Sequence, residues 1–189
     1  MRVVAGELRG RRLASVGGRG TRPTSERARS GLFDWLGGEV EGARVLDLFA
    51  GSGSLGIEAL SRGAREAVFV ERSRGALAVL RRNLEQLGLQ QVGRCLSGDV
   101  RKVLAGGAPE HGVFDLVIAD PPYAGDWCER LVSERGAVRL LADDGLLVIE
   151  RSSRHGRPRR LAGLEWLEDR TYGGTAFDVY RRAGGGPTE

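Results

Sequence analysis

Between residues 43 and 151 the chain repeats one unit: a short apolar run, a turn rich in glycine and acid, and an amphipathic stretch of helical length. "ARVLDLF", "EAVFVE", "VGRCLS", "VFDLVIA" and "GLLVIER" read as strands. "SLGIEALSR", "SRGALAVLRRNLEQLG" and "DVRKVLAGG" read as helices, and helical material runs from Trp127 to Leu141. Leu77, Leu80, Leu84 and Leu87 make the apolar stripe of the longest of these helices. Alternation of this kind predicts an α/β, doubly wound, mostly parallel sheet with helices on both faces, a Rossmann-like architecture. "LEWLEDRTYGGTAFDVYRR" breaks the pattern: two alternating runs meet at Gly173-Gly174, which predicts a hairpin and a terminal antiparallel strand. At 189 residues the chain suits one such domain.

Before the sheet, "MRVVAGELRGRRLASV" alternates and predicts a short β-hairpin turning at Ala5-Gly6. "TSERARSGLFDWLGG" predicts a helix capped by Thr24 or Ser25, with Ala28, Leu32 and Leu36 on one face and Gly37-Gly38 at its end. The expected organisation is a basic hairpin and helix extension over 1–40, a main domain over 41–183, and a disordered tail over 184–189. Residues 1–30 hold eight arginines (2, 9, 11, 12, 19, 22, 27 and 29) against Glu7 and Glu26, a local net of +6 where the whole chain is +4. A basic stripe of that kind suits a partner that carries phosphate. Arg151, Arg154, Arg157, Arg159 and Arg160 form a second cluster.

Other classes are disfavoured. No stretch reaches the roughly 18 apolar residues of a membrane span, and Met1-Arg2 is not followed by the apolar run of a signal peptide, so a cytoplasmic protein without membrane contact is expected. Cys95, Cys128, His111 and His155 are isolated, which predicts buried thiols, surface imidazoles and no metal site.

"DLFAGSGSLGIEA" contains a literal G-x-G-x-x-G at Gly51, Gly53 and Gly56, with Glu71 20 residues beyond Gly51, as in a dinucleotide fold. Ligands of doubly wound sheets sit beyond the carboxyl ends of the strands, so the residues closing each strand decide the reading. Those residues are acids: Asp47, Glu71, Asp99 and Asp120. Asp47 beside a pyrophosphate would repel it, whereas a cationic or neutral nucleoside tolerates it. "VFDLVIADPPYAG" then places Asp120-Pro121-Pro122-Tyr123 directly after a buried strand. The prolines fix φ and stop the ladder, which holds the Asp120 carboxylate and the Pro121 carbonyl as two acceptors beside an aromatic ring. A flat exocyclic amine offers one N–H to each acceptor while its ring stacks on the aromatic.

On these residues the chain resembles the class I S-adenosylmethionine-dependent methyltransferases with a DPPY amino-methylating motif. More narrowly it is similar to the RsmD family of bacterial 16S ribosomal RNA guanine-N2 methyltransferases. The likeness runs over residues 1 to 182 through "GELRGRRL", "RPTSERARSGLFDWL", "LDLFAGSGSLGIEALSRGA", "FVERS", "DPPY" and "YGGTAFDVY". The resemblance implies that Asp47, Gly51 and Gly53 enclose the methionine and ribose of S-adenosylmethionine, Glu71 accepts from the ribose hydroxyls and Asp99 sits at the adenine. It also implies that Asp120 and Pro121 hold the guanine amine, with Tyr123 stacked on the base. The expected partner is 16S rRNA in an assembled or partly assembled small ribosomal subunit, met by a monomer. Arg9, Arg11, Arg12, Arg22 and Arg27 are expected on its phosphates. The rival readings are a nicotinamide oxidoreductase, which leaves DPPY and the basic arm unexplained, a DNA or other RNA amino-methyltransferase, and a non-catalytic RNA-binding assembly factor.

Overall fold

Where each apolar run ends, a glycine or a capping hydroxyl takes over, and the elements follow from those boundaries. The computed structural model describes residues 1–17, 24–106, 112–122, 126–133, 135–156 and 162–184. In chain order these residues form α1 (Glu26–Leu36), β1 (Arg44–Leu48), α2 (Ser54–Ser61), β2 (Glu66–Glu71), α3 (Arg74–Leu87), β3 (Gly93–Ser97) and α4 (Val100–Gly106). They continue with β4 (Phe114–Ala119), α5 (Trp127–Ser133), α6 (Arg135–Leu140), β5 (Leu141–Ser152), β6 (Leu164–Tyr172) and β7 (Thr175–Arg182). Ser25, of the two candidate caps, is the one that accepts from the Ala28 N–H.

The seven strands lie in the order β3-β2-β1-β4-β5-β7-β6. The first five are parallel, β7 runs antiparallel to β5, and β6 pairs antiparallel to β7 on the outside. The strand order reverses between β1 and β4, the position at which a doubly wound sheet opens a crevice for a ligand. Alternation along each strand builds two cores. Val45, Phe69, Ile118 and Val148 pack on α1, α2 and α3, while Leu46, Val68, Val117 and Leu147 pack on α4, α5 and α6. Among the described residues no helix is long and apolar enough to cross a membrane.

Three local expectations change. Among the described residues the amino-terminal segment has one isolated bridge, Arg2 to Arg12, and its turn spreads over Ala5–Gly10 rather than closing at Ala5-Gly6. The reason is competition for donors: the Val4 and Ala5 N–H groups go to the Glu58 carboxylate on α2 instead of to a facing strand. Gly6 is required there, with φ of +79° and with Ser61 O where a Cβ would stand. The helical stretch after Trp127, carried by α5 and α6, ends at Leu140, because Leu141 already pairs with Phe114 and regular pairing resumes at Leu146 after a shift in register.

The basic arm is also less basic than its composition. Arg29 is fully buried, its Nε 3.3 Å from Glu58 Oε2, and its guanidinium also donates to the Arg2 carbonyl. Glu58 Oε1 further accepts from Arg62 Nε at 3.0 Å, so Glu58 holds the arm, α1 and α2 together. Val3 and Leu13 from the arm lie in the same core as α1 and β1.

Candidate active site

β1 ends in a backbone that leaves the strand abruptly. Phe49 takes φ of +64°, costly for a side chain of its size. Ala50 N–H then donates to Val70 O, and Gly51 and Gly53 follow with φ of +56° and +84°. Gly53 caps α2, and a Cβ on it would stand 2.4 Å from the Leu80 side chain, so the loop closes against α3 only with glycine there.

The register places the candidate acids in one row. Asp47 pairs with Phe69 on one side and Ile118 on the other. Asp120 lies one residue past the Leu48–Ala119 pair, and its N–H reaches Leu48 O at 3.4 Å. Glu71 closes β2 opposite Ser97. By parity with Val45, Phe69 and Ile118, the side chains of Asp47, Glu71 and Asp120 share the sheet face that carries α1, α2 and α3.

Their environments differ. Asp47 is 1% exposed and accepts from the Gly56 N–H of α2 at 2.9 Å. Burial pushes its carboxyl up from 3.8 to about 7; the Gly56 N–H holds it lower than burial alone would, and the Glu71 charge adds to the rise. A cationic group beside it would be welcome for that reason. Glu71 gives one oxygen to the Gly51 N–H and the other to the Ser73 N–H, at 2.9 and 2.7 Å, which fixes its carboxylate at the loop with further lone pairs left to accept hydroxyls. Asp120 is pushed well above the usual carboxylate range by burial first, then by Glu150, then by Asp47. Pro121 is buried and Pro122 exposed.

Asp99 has a job that the sequence did not disclose. It lies at the start of α4 and accepts from the Arg101 N–H at 2.9 Å while its carboxylate pairs with the Arg101 guanidinium at 2.7 Å. That pairing pulls it down to about 2. Tyr123 and Arg22 lie outside the described residues. Arg9, Arg11, Arg12 and Arg27 are exposed, with Arg11 Nη2 donating to Gln86 O. In the second basic cluster, Arg151 is not a surface cation: it is buried and grips Asp178 with two bonds of 2.7 and 2.9 Å. Arg154 is exposed, and Arg157, Arg159 and Arg160 lie outside the described residues.

Four further residues shape the site. Glu150 on β5 is buried beside Asp120 and accepts from the Thr24 hydroxyl. Asn83 on α3 donates to Ser52 O in the glycine loop and to Ala14 O, and accepts from the Ala14 N–H. Phe49 meets the Trp127 ring edge-on, with centroids 4.8 Å apart. Asn83 had a sequence signal, a polar residue inside the leucine stripe of α3; Glu150 had the signal of an acid closing a fifth strand. Among the described residues no group of three or more His, Cys, Asp or Glu could hold a metal ion.

Comparison with known proteins agrees with this geometry. A family model described as Conserved hypothetical protein 95 matches residues 1–181. Ribosomal RNA small subunit methyltransferase D of Escherichia coli strain K12 is 32% identical over 189 residues, covering 100% of this chain and 93% of that relative. The solved Escherichia coli methyltransferase yhhF superposes with a TM-score of 0.84 at 32% identity, over 98% of this chain and 99% of its own. A methyltransferase solved in complex with SAH, SMU.776, shares the fold alone, at 15% identity and a TM-score of 0.65 over 85% of this chain and 50% of its own. The match spans both the amino-terminal arm and the sheet: the chain belongs to the Conserved hypothetical protein 95 family, that of RsmD, and has the class I methyltransferase fold.

Proposed function

We propose that this protein transfers a methyl group from S-adenosylmethionine to the exocyclic 2-amino group of a guanine in 16S rRNA of the small ribosomal subunit. The observation that carries the reading is the row of acids at the switch point, Asp47 and Glu71 on the glycine-loop side and Asp120 on the other, all on one sheet face. The residues suit the cofactor: a buried carboxylate at Asp47 that a cation would stabilise, a fixed acceptor at Glu71, and open space at Gly51 of the loop. When bound, S-adenosylmethionine supplies an electrophilic methyl whose bond to sulfur breaks, its pair going to sulfur, as the amine pair forms the new N–C bond.

The protein's part is binding and electrostatics. Asp47, Gly51 and Gly53 enclose the methionine and ribose, Glu71 takes the ribose hydroxyls, and Asp99, held by Arg101, borders the adenine. Asp120 and the Pro121 carbonyl accept the two amine hydrogens, favour a tetrahedral nitrogen and stabilise the positive charge that develops on it. Tyr123 stacks on the guanine, which must be unpaired or flipped to reach this depth. Residues 1–40 present Arg9, Arg11, Arg12, Arg22 and Arg27 to rRNA phosphates, while 41–183 hold cofactor and base; the protein acts as a monomer on a particle that carries ribosomal proteins.

The test is transfer from radiolabelled S-adenosylmethionine to small subunits from a strain lacking this gene, followed by nucleoside analysis. Label in N2-methylguanosine is the expected result. Label in another nucleoside overturns the target atom, and label in DNA but not in rRNA overturns the substrate class.

A further inference from the structure

Glu150 lies in the buried run of β5, next to the buried Arg151, and is 1% exposed. Ala119 and Ile149 are the last pair of the β4–β5 ladder, where β4 ends, so Asp120 and Glu150 follow side by side. Alternation from Ile118 and Val148 turns both carboxylates to the same face. There the Thr24 hydroxyl donates to Glu150 Oε2 at 2.5 Å. Two neighbouring carboxylates away from water repel each other, and the pair is a poor device for stability alone. A glutamine at 150 could accept the Thr24 bond without that repulsion.

We propose that Glu150 is a positioning residue for methyl transfer: fixed by Thr24, it faces Asp120 and makes that carboxylate the acceptor of the proton that the methylated amine gives up. The proposal rests on the amino-methylating reading above. Once the new N–C bond exists, the nitrogen carries one proton too many. The electrons of that N–H bond stay on nitrogen and the proton passes to a carboxylate oxygen of Asp120, leaving a neutral secondary amine and a neutral acid. A sulfonium cation and one carboxylate enter the step; a thioether and a carboxylic acid leave it, so charge balances. Protonation of Asp120 also removes its repulsion with Glu150, a gain present only because Glu150 is charged. Among the described residues, the titratable groups around Asp120 are Asp47 from β1, Glu150 from β5 and the Cys128 thiol from α5, with the Arg151–Asp178 pair beyond Cys128. Burial, Glu150 and Asp47, in that order, raise the affinity of Asp120 for the proton.

The test compares wild type with Glu150→Gln and Thr24→Val in the full chain. The Asp120 carboxyl is titrated by carbon NMR, assigned with Asp120→Asn, and the pH profile of kcat/KM is measured alongside. Glu150→Gln removes the charge, so the Asp120 midpoint and the acidic limb of the profile both move to lower pH, by on the order of one unit. Thr24→Val withdraws the hydroxyl that fixes Glu150 against Asp120 and moves both in the same direction by less; Thr24→Ser restores them. Binding of S-adenosylhomocysteine reports that each variant is folded. Should Glu150→Gln fail that check, Thr24→Val carries the test. An Asp120 midpoint and an acidic limb that stay in place overturn the proposal. Wild-type protein that binds cofactor but methylates no rRNA would defeat the proposed function, and the Asp120 titration would still decide the role of Glu150.

Discussion

At the scale of single residues the site contains two carboxyls whose proton affinity is raised, for different purposes. In the proposed reaction Asp120 accepts hydrogen bonds that strengthen as charge grows on the amine. Asp120→Ala should cost about 2–4 kcal/mol of transition-state stabilisation, roughly 10²–10³-fold in rate. Asp120→Asn keeps an oxygen acceptor and should lose less. Single-turnover methyl transfer measures both, and an alanine variant as fast as wild type would remove the amine clamp from the mechanism. Asp47 makes a separate prediction in the absence of cofactor. Its folded-state value of about 7 lies above the unfolded value near 3.8, so between those two the folded protein binds more protons than the unfolded chain. The Asp47 contribution to stability therefore falls as pH rises through that window, by up to about 1.4 kcal/mol per pH unit. Asp47→Asn should flatten the fall by one proton and make the cofactor-free protein more stable than wild type at pH 8, while weakening S-adenosylhomocysteine binding. Equal slopes in denaturant titrations across pH 4–8 would show that the buried carboxyl does not titrate in this way.

At the scale of elements, the arm and α2 show where pattern reading stops. The helix over 26–36, the strand ends and the closing hairpin were all legible, because burial imposes a period on the side chains that face it. Arg29 entered the count of basic residues in the arm, though not the set expected on phosphate; the packing of α1 on α2 puts Glu58 beside it and leaves Arg27 to solvent. The tight hairpin at Ala5-Gly6 failed for the same reason, since its donors are claimed by Glu58 from 53 and 54 residues away. With Arg29 paired to Glu58, the proposed RNA contact rests on the exposed cations. Arg11 and Arg12 replaced together by alanine should weaken rRNA binding and flatten its dependence on log salt by about 0.7–0.9 for each phosphate no longer neutralised. Cofactor affinity should not change. A salt slope equal to that of wild type would move the phosphate-binding cations elsewhere on the surface.

At the scale of the whole molecule, the positions of the strand-end acids could be read from the chain because a parallel sheet brings successive strand ends to one edge whatever the detail of their loops. What joins that edge to the arm could not be read so directly, since it depends on packing between elements distant in sequence. Asn83 is the clearest case. It is buried in α3 and is bonded at once to both backbone groups of Ala14 and to Ser52 O, so one side chain fastens the amino-terminal arm to the glycine loop. Removing it strands three backbone groups, at roughly 1–3 kcal/mol for each one left buried without a partner. Asn83→Ala should therefore lower the melting temperature and, more tellingly, uncouple the two regions. In wild type, S-adenosylhomocysteine should stiffen the loop and, through Asn83, slow hydrogen exchange at the Ala14 amide and its neighbours. In Asn83→Ala, with cofactor saturating, that remote protection should vanish while protection within Gly51–Gly56 remains. If the arm stays protected in the variant, the coupling runs through Glu58 and α2 instead, and Asn83 is a fastening of the arm without a part in joining substrate to cofactor.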